Sequence, residues 1–251
     1  MLRRLFTPAS PPEPEQIGVM VRGRPVQISV RRTAAARRMT LRVKGATGEV
    51  VLTLPARASF RSGKAFVERQ VDWIAARLEQ RPAAKPFVEG AEIPLRGEPH
   101  VLVHRGLRGV TRVEPGLRGQ PPVIAVSGPR EHFSRRVTDF LKREAKHDLE
   151  PAVARHAAAL NVAIGRISVK DTTSRWGSCS AKGGLAFSWR LILAPPFVLD
   201  YLAAHEVAHR REMNHGQAFW DLVHRLCPET DAAERWLKKN GVDLHRYGAA
   251  E

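Results

Sequence analysis

Three histidines, His205, His209 and His215, lie close together in the segment AAHEVAHRREMNHGQAFW, residues 203–220, and Glu206 directly follows the first of them. His205 and His209 are four residues apart, so on a helix both imidazoles lie on one face and can bind one metal ion. Glu206 lies about 100° further round such a helix. Its carboxylate can reach a water on that metal without becoming a ligand. The spacing predicts a site for Zn²⁺, one ion per chain, with Glu206 as the general base.

The same two histidines also fit an ordinary buried helix face. An apolar stripe with spacings of four, three and four residues contains Val198, Leu202, His205 and His209. Buried imidazoles need partners for their ring nitrogens, and hydrogen-bonding groups of a protein core would serve as well as a metal. HExxH by itself therefore leaves both interpretations open.

His215 favours the metal site, because it follows His209 by six residues, as the third ligand does in the extended metzincin pattern. That pattern has a glycine where this chain has Glu212, so the metzincin subclass is not indicated. We expect Asn214 or Gly216 to adopt left-handed geometry in the turn that returns His215 to the site. A carboxylate from a later helix is the alternative third ligand, and the candidates are Asp221, Glu229 and Glu234.

A second candidate segment is RWGSC, residues 175–179, in a predicted turn between two strands. Beside a metal, it would form an edge strand or loop whose backbone binds an extended peptide, with Arg175 stabilising an anion. The alternative is a tight turn in which Trp176 is a core residue and Cys179 a small buried hydrophobe. The residue types by themselves favour the tight turn.

The elements that must position these segments include both strands and helices, which indicates an α+β fold. Apolar alternation predicts four strands in an antiparallel meander, over residues 17–32 (two strands), 38–43 and 49–55. One helix follows over 59–81, and strand patterns return over 90–128. No internal repeat is apparent. The β-rich N-terminal region is therefore predicted over 17–128, after a disordered, basic and proline-rich tail over 1–16.

The C-terminal part, residues 129–247, is predicted to be the metal-binding domain. A long helix over 132–161 contains Pro151, which can kink or split it. A strand–turn–strand unit over 166–196 comes next. Three helices follow, one from Pro196 through the histidines to about Met213, one over 216–227, and one over 231–240 that ends before Gly241.

Composition limits the binding partners and the cellular location that we expect. The 251 residues include 41 Lys and Arg against 25 Asp and Glu, and the net charge of +16 attracts nucleotides and nucleic acid. No nucleic-acid-binding motif accompanies that charge. Two cysteines exclude a disulfide framework and indicate a reducing, cytoplasmic location. No run of about eighteen apolar residues is present, so no membrane span is expected.

The two candidate segments together resemble one family. RWGSCS, followed by WRLILAPPFVLDYLAAHEVAHRREMNHGQAFW, is similar to the YgjP-like family of zinc metallopeptidases, which is related to SprT-like and other HExxH hydrolases. Upstream, RRMTLRV, GEVVLTLP and AFVERQVDWI resemble its N-terminal half. The resemblance covers about residues 20–80 and 130–240, and it is weakest over 85–128.

The resemblance implies a role for each segment. It implies a catalytic base at Glu206, zinc ligands at His205, His209 and His215, and a site border formed by Arg175, Trp176, Gly177 and Ser178. The expected fold is a β-rich N-terminal half with a helix, followed by a gluzincin-like zincin domain with HExxH on its active-site helix. The expected function is a metallopeptidase that cleaves peptide or protein substrates with zinc-bound water. The alternatives are a metal-dependent nucleotide phosphohydrolase and a SprT-like basic protein acting at nucleic acid.

Overall fold

The chain forms two compact units, residues 1–81 and 82–251, each with its own hydrophobic core. The computed structural model describes residues 16–44, 48–80, 83–116 and 119–249. The tail expected over 1–16 lies outside the described residues except for Gln16, which begins the first strand. Within the described residues, no helix has the length and apolar character that crossing a membrane requires.

The first unit begins with a four-stranded sheet. Its strands are β1 (Gln16–Val21), β2 (Arg24–Thr33), β3 (Thr40–Val43) and β4 (Val50–Pro55). They lie in the order β1-β2-β4-β3, with β2 parallel to β4, so the prediction of an antiparallel meander is wrong. Val50, Leu52 and Leu54 are fully buried. This apolar face of β4 is best removed from water when the strand lies inside the sheet, between β2 and β3.

Two helices pack against this sheet, α1 (Phe60–Glu68) and α2 (Val71–Glu79). The sequence predicts a single helix over 59–81, and the chain breaks it at Arg69 and Gln70. Neither proline nor glycine marks the break, so no residue type signals it. The apolar residues of both helices and of the four strands form one core.

The second unit opens with another four-stranded sheet. Its strands are β5 (Glu92–Leu95), β6 (Glu98–His104), β7 (Arg112–Glu114) and β8 (Val123–Val126). Their order is β5-β6-β8-β7, again with the second strand parallel to the fourth. The pairing of strands is therefore the same as in the first unit.

The two sheets are copies of one topology, so the expectation of no internal repeat is wrong. Ile28 lies opposite Val50 and Leu102 opposite Ile124, so both partners shift by the same 74 residues, 28 to 102 and 50 to 124. Each hairpin turns at Arg-Gly-x-Pro, as RGRP and RGEP, with positive φ at the arginine and the glycine. Two successive residues with positive φ are what a type I′ hairpin requires. Beyond this turn the copies share mainly apolar alternation, which many strands have.

One continuous helix, α3 (Phe133–Leu160), follows the second sheet and contains Pro151 without a break. Its apolar side shares a core with β8 and with a 3₁₀ turn at Trp189–Leu193. The sequence indicates a boundary near residue 128, whereas this shared core joins both sides of that point within the second unit.

A three-stranded sheet and three further helices complete the second unit. The strands are β9 (Ile167–Lys170), β10 (Gly177–Cys179) and β11 (Leu185–Ser188), in the order β10-β11-β9. The helices are α4 (Pro196–Ala208), α5 (Gln217–Leu226) and α6 (Thr230–Leu244). The prediction that the last helix ends before Gly241 is wrong. A Cβ on Gly241 would lie 3.1 Å from the Trp176 ring. The glycine therefore lets α6 pack closely against Trp176.

Candidate metal and active site

Helix α4 positions two residues of the HExxH segment. Pro196 stands in its first turn, where a proline costs no helical hydrogen bond. Most residues of the helix are buried, because it runs through the core of the second unit. His205 and Glu206 lie in its last turn, so packing of the helix fixes the direction of both side chains.

The chain leaves this helix earlier than the sequence predicts, at Ala208 instead of about Met213. The amides of Arg211 and Glu212 both donate to the carbonyl of Ala208, which forms a tight turn. Nδ1 of His209 closes the turn by donating to the carbonyl of Glu212 at 3.0 Å. The break lets the next segment fold back toward α4.

His215 reaches the other histidines without a left-handed residue. Gly216 has φ −82° and ψ −177°, which is extended backbone, and Asn214 is not among the described residues with positive φ. The prediction that one of them adopts left-handed geometry is therefore wrong, because the early end of α4 already turns the chain. Phe219 of α5 packs beside the cluster, with its ring centroid 4.6 to 4.9 Å from the three imidazole centroids.

The three histidine rings converge on one point. One nitrogen of each ring lies within 4.8 Å of the others, and Nε2 of His205 is 3.2 Å from Nε2 of His215. His209 is buried, His205 half-buried and His215 exposed, so the cluster is open to solvent on one side. Among the described residues, these three form the one group of His, Cys, Asp or Glu side chains close enough to hold a metal ion.

The outer nitrogens of the two HExxH histidines have hydrogen-bond partners. The Tyr201 hydroxyl donates to Oε1 of Glu234 at 2.9 Å, so its oxygen accepts from Nδ1 of His205 at 3.4 Å. Nδ1 of His209 donates a hydrogen bond to the Glu212 carbonyl. Both rings are thereby held as the tautomer in which Nε2 has a free lone pair, and a hydrogen-bonded outer nitrogen is usual for metal-binding histidines.

The two HExxH histidines are also electrically neutral. Burial, and then the neighbouring imidazoles, lowers the pKa of His205 to about 4. Burial likewise lowers the pKa of His209, against an opposing effect of its bond to Glu212. Both rings therefore offer lone pairs at neutral pH, as a bound cation requires.

Glu206 lies beside this cluster with an unpartnered carboxylate. Its side chain is buried, with 4 % exposed, and Oε2 has no hydrogen-bond partner among the described residues. Burial raises the pKa of Glu206 to about 7, while the charge of Arg175 acts in the opposite direction. A buried carboxylate with no partner costs stability, and groups of this kind are concentrated at functional sites.

Strand β10 runs beside the cluster at the edge of its sheet. The Ser188 amide donates to the Trp176 carbonyl at 2.8 Å, and the Ser180 amide donates to the Gly184 carbonyl at 2.9 Å. In an antiparallel pair, residues that bond the partner strand alternate with residues whose backbone groups point away from it, and Gly177 directly follows the bonded Trp176. The backbone of Gly177 therefore faces the open edge of the sheet.

Two residues of RWGSC fix how closely β10 approaches α4. A Cβ on Gly177 would lie 2.3 Å from Oε1 of Glu206, so glycine is required for this approach. Trp176 stacks on His245, with 4.6 Å between the ring centroids, and it also packs on Gly241. The C-terminal end of α6 thus packs against the residue that precedes β10.

The structure brings both candidate segments to one cavity of about 480 Å³. Its lining includes every residue that the sequence assigns to the site, namely Arg175, Trp176, Gly177, Ser178, His205, Glu206, His209 and His215. Sequence reasoning did not assign Tyr201, Met213 and Leu237, which also line it. Tyr201 precedes His205 by one helical turn, so its spacing could have indicated it, whereas Leu237 has no comparable signal.

The carboxylates considered as alternative third ligands have other positions. Glu234 accepts a hydrogen bond from Tyr201, and Asp221 accepts one from Gln217 at 2.8 Å. Glu229 directly precedes α6. Within the part of the chain that the structure describes, none of the three belongs to the group that could hold a metal.

Comparison with known proteins gave one structural match and one family match. A crystal structure of the metallopeptidase zymogen of Pyrococcus abyssi abylysin is 18% identical, with a TM-score of 0.33, over 36% of this chain and 93% of that chain. No curated protein matches the sequence. The family model for the YgjP-like metallopeptidase domain matches residues 37–240, which is most of the chain. The chain therefore belongs to the YgjP-like metallopeptidase family.

Proposed function

We propose that the chain is a zinc-dependent peptidase whose active site is the cavity between α4 and β10. The convergence of three imidazoles beside the unpartnered carboxylate of Glu206 carries this proposal. In it, His205, His209 and His215 hold one Zn²⁺ per chain, and α4 is the active-site helix of a zincin domain in the second unit. The donor set fits, because three nitrogen ligands with a fourth position open to solvent is the catalytic form of a zinc site.

Glu206 acts as the general base in this proposal. When bound, Zn²⁺ would polarise a peptide carbonyl and lower the pKa of a coordinated water. The Glu206 carboxylate accepts a proton from the attacking water and then delivers it to the leaving amine. In the metal-free chain, burial raises the pKa of Glu206 to about 7, which makes the carboxylate a stronger proton acceptor than an exposed glutamate.

The substrate in this proposal is an extended polypeptide along β10. The backbone of Gly177 at the open edge can pair with a peptide as an added strand, next to the side chain of Glu206. Trp176, Tyr201 and Leu237 give the cavity apolar surface that suits peptide side chains. Arg175 supplies a positive charge where an oxyanion would develop.

The two alternative functions receive less support from the site. A nucleotide phosphohydrolase needs several cations around the phosphates, and Arg175 is the one lysine or arginine among the described residues that line the cavity. Action at nucleic acid is supported by the net charge of +16 and by no feature of the cavity. The peptidase is therefore the function that the geometry supports best.

A substrate screen combined with metal analysis tests the proposal. The purified chain should contain about one zinc per molecule, cleave an unstructured protein such as casein, and leave nucleoside triphosphates intact. A chelator should stop the cleavage, and added Zn²⁺ should restore it. Phosphate release from the triphosphates without peptide cleavage would contradict the proposal.

Tyr201→Phe tests whether the outer hydrogen bond of His205 supports the metal. The change keeps the ring and removes the hydroxyl that joins His205 to Glu234. We expect Zn²⁺ affinity, measured by competition with a chelating dye, to fall about 10- to 100-fold. Tyr247→Phe is the matched control, since it removes the chain's other tyrosine hydroxyl, which bonds Lys85 at 2.9 Å. Equal Zn²⁺ affinities for the two variants would show that the Tyr201 hydroxyl does not contribute to metal binding.

A further inference from the structure

The hairpin turn of the second unit holds another segment of its own chain. The amide of Arg96 donates to the carbonyl of Ile192 at 2.7 Å, and the amide of Gly97 donates to the carbonyl of Leu193 at 3.3 Å. A Cβ on Gly97 would lie 3.1 Å from Pro195. Two successive turn amides therefore bind two successive carbonyls of an apolar segment that ends in proline.

This segment fills a groove between the hairpin and the helix that follows the sheet. Leu191, Ile192 and Leu193 are buried in the core that contains α3. The side chain of Arg96 bridges from the turn to α3, with bonds of 2.7 Å to Asp148 and 3.1 Å to Glu144. The groove thus has a turn at one wall, a helix at the other, and an arginine–carboxylate pair between them.

The first unit has a corresponding hairpin turn and a corresponding helix. Its turn consists of Arg22 and Gly23, with φ of 47° and 77°, against 54° and 82° for Arg96 and Gly97. Arg22 forms an ion pair with Glu79 of α2, as Arg96 does with carboxylates of α3. The repeated unit therefore has the same turn geometry and the same bridge from turn to helix.

The groove of the first unit differs in having no occupant among the described residues. The amides of Arg22 and Gly23 have no hydrogen-bond acceptor there, and a Cβ on Gly23 would meet no atom within 4 Å. A cavity of about 550 Å³ lies at this position, lined by Val21, Arg22, Arg24, Val26, Ala75, Leu78 and Glu79. That volume lies in the range of sites that bind small ligands or short peptide segments.

We propose that this groove binds a short apolar segment of a partner polypeptide, held as the second unit holds Trp189–Pro195. Two successive carbonyls of the partner accept hydrogen bonds from the amides of Arg22 and Gly23. An apolar side chain of the partner packs against Val21, Val26 and Leu78. The site would give the chain a second contact with polypeptides, within the first unit and independent of the metal.

Nuclear magnetic resonance of the full chain tests this site directly. The ligand is a capped peptide with the sequence LILAPP, which is that of residues 191–196. We expect saturable shifts of the Arg22 and Gly23 amide signals, because a new hydrogen bond changes the environment of the amide proton. Ala75→Leu narrows the cavity and should weaken binding at least about 10-fold, since overpacked sites do not accept extra groups.

Controls separate the groove from a general loss of structure. Ala76→Leu adds the same atoms to the same helix at an exposed position and should bind as the unchanged chain does. Val26→Glu serves as a second variant if Ala75→Leu does not fold, because it places a charge in the apolar wall. Absence of saturable shifts in the unchanged chain, or equal weakening by Ala76→Leu, would overturn the proposal. Shifts of the two amides with inorganic phosphate but not with the peptide would also overturn it.

Discussion

Replacing Glu206 by Gln is expected to lower peptide hydrolysis by about 10²- to 10⁴-fold, mainly in kcat, while the zinc content stays unchanged. Glutamine keeps nearly the shape of glutamate, but its amide cannot accept a proton from water at neutral pH. The metal stays because the three imidazoles form the cluster. The free energy of unfolding should be equal or higher, since a buried carboxylate without a partner is costly.

Glu229→Gln is the matched control for this measurement. Glu229 is exposed and directly precedes α6, so the same chemical change there should leave both zinc content and hydrolysis as they are. Loss of zinc together with activity in Glu206→Gln would mean that this carboxylate helps to hold the metal. Full activity of the variant would mean that another group takes the proton. Either result would contradict the role proposed for Glu206.

The residues that form each strand can be predicted from sequence more readily than the order of the strands in the sheet. Alternation identifies β2 and β4 because it depends on residues within each strand. It does not reveal that β4 lies between β2 and β3, because strand order depends on which apolar faces bury most surface in the whole unit. Gly241 shows the same limit, since a glycine that permits contact with Trp176 looks in sequence like one that ends a helix.

The candidate site likewise has residues that the sequence predicts and contacts that it does not. His205, Glu206 and His209 could be predicted because the helical period relates them, with the first two in α4 and His209 directly after it in helical backbone geometry. The hydrogen bond from Tyr201 to Glu234 joins residues 33 positions apart, and it depends on how α6 packs on α4. No short motif encodes such a contact. Sequence therefore predicts the groups that would face the metal better than the groups that orient them.

Replacing His215 by Ala is expected to remove tight zinc binding and, with it, peptide hydrolysis. The loss of affinity should exceed the roughly 100-fold limit typical of outer hydrogen-bond partners, because a ligand itself is removed. His215 is exposed, so the core keeps its packing and the thermal stability of the metal-free chain should change little. Zinc affinity by chelator competition and unfolding of the metal-free chain measure the two effects separately.

His224→Ala provides the comparison, because His224 is an exposed histidine of α5 that bonds Asp231 at 3.1 Å. It should bind zinc as the unchanged chain does, which excludes a general effect of removing a histidine. If His215→Ala keeps its zinc and Asp221→Asn loses it, the third ligand is a carboxylate of α5. The 3.2 Å between Nε2 of His215 and Nε2 of His205 favours the histidine, because both nitrogens can then contact one ion without moving the helix.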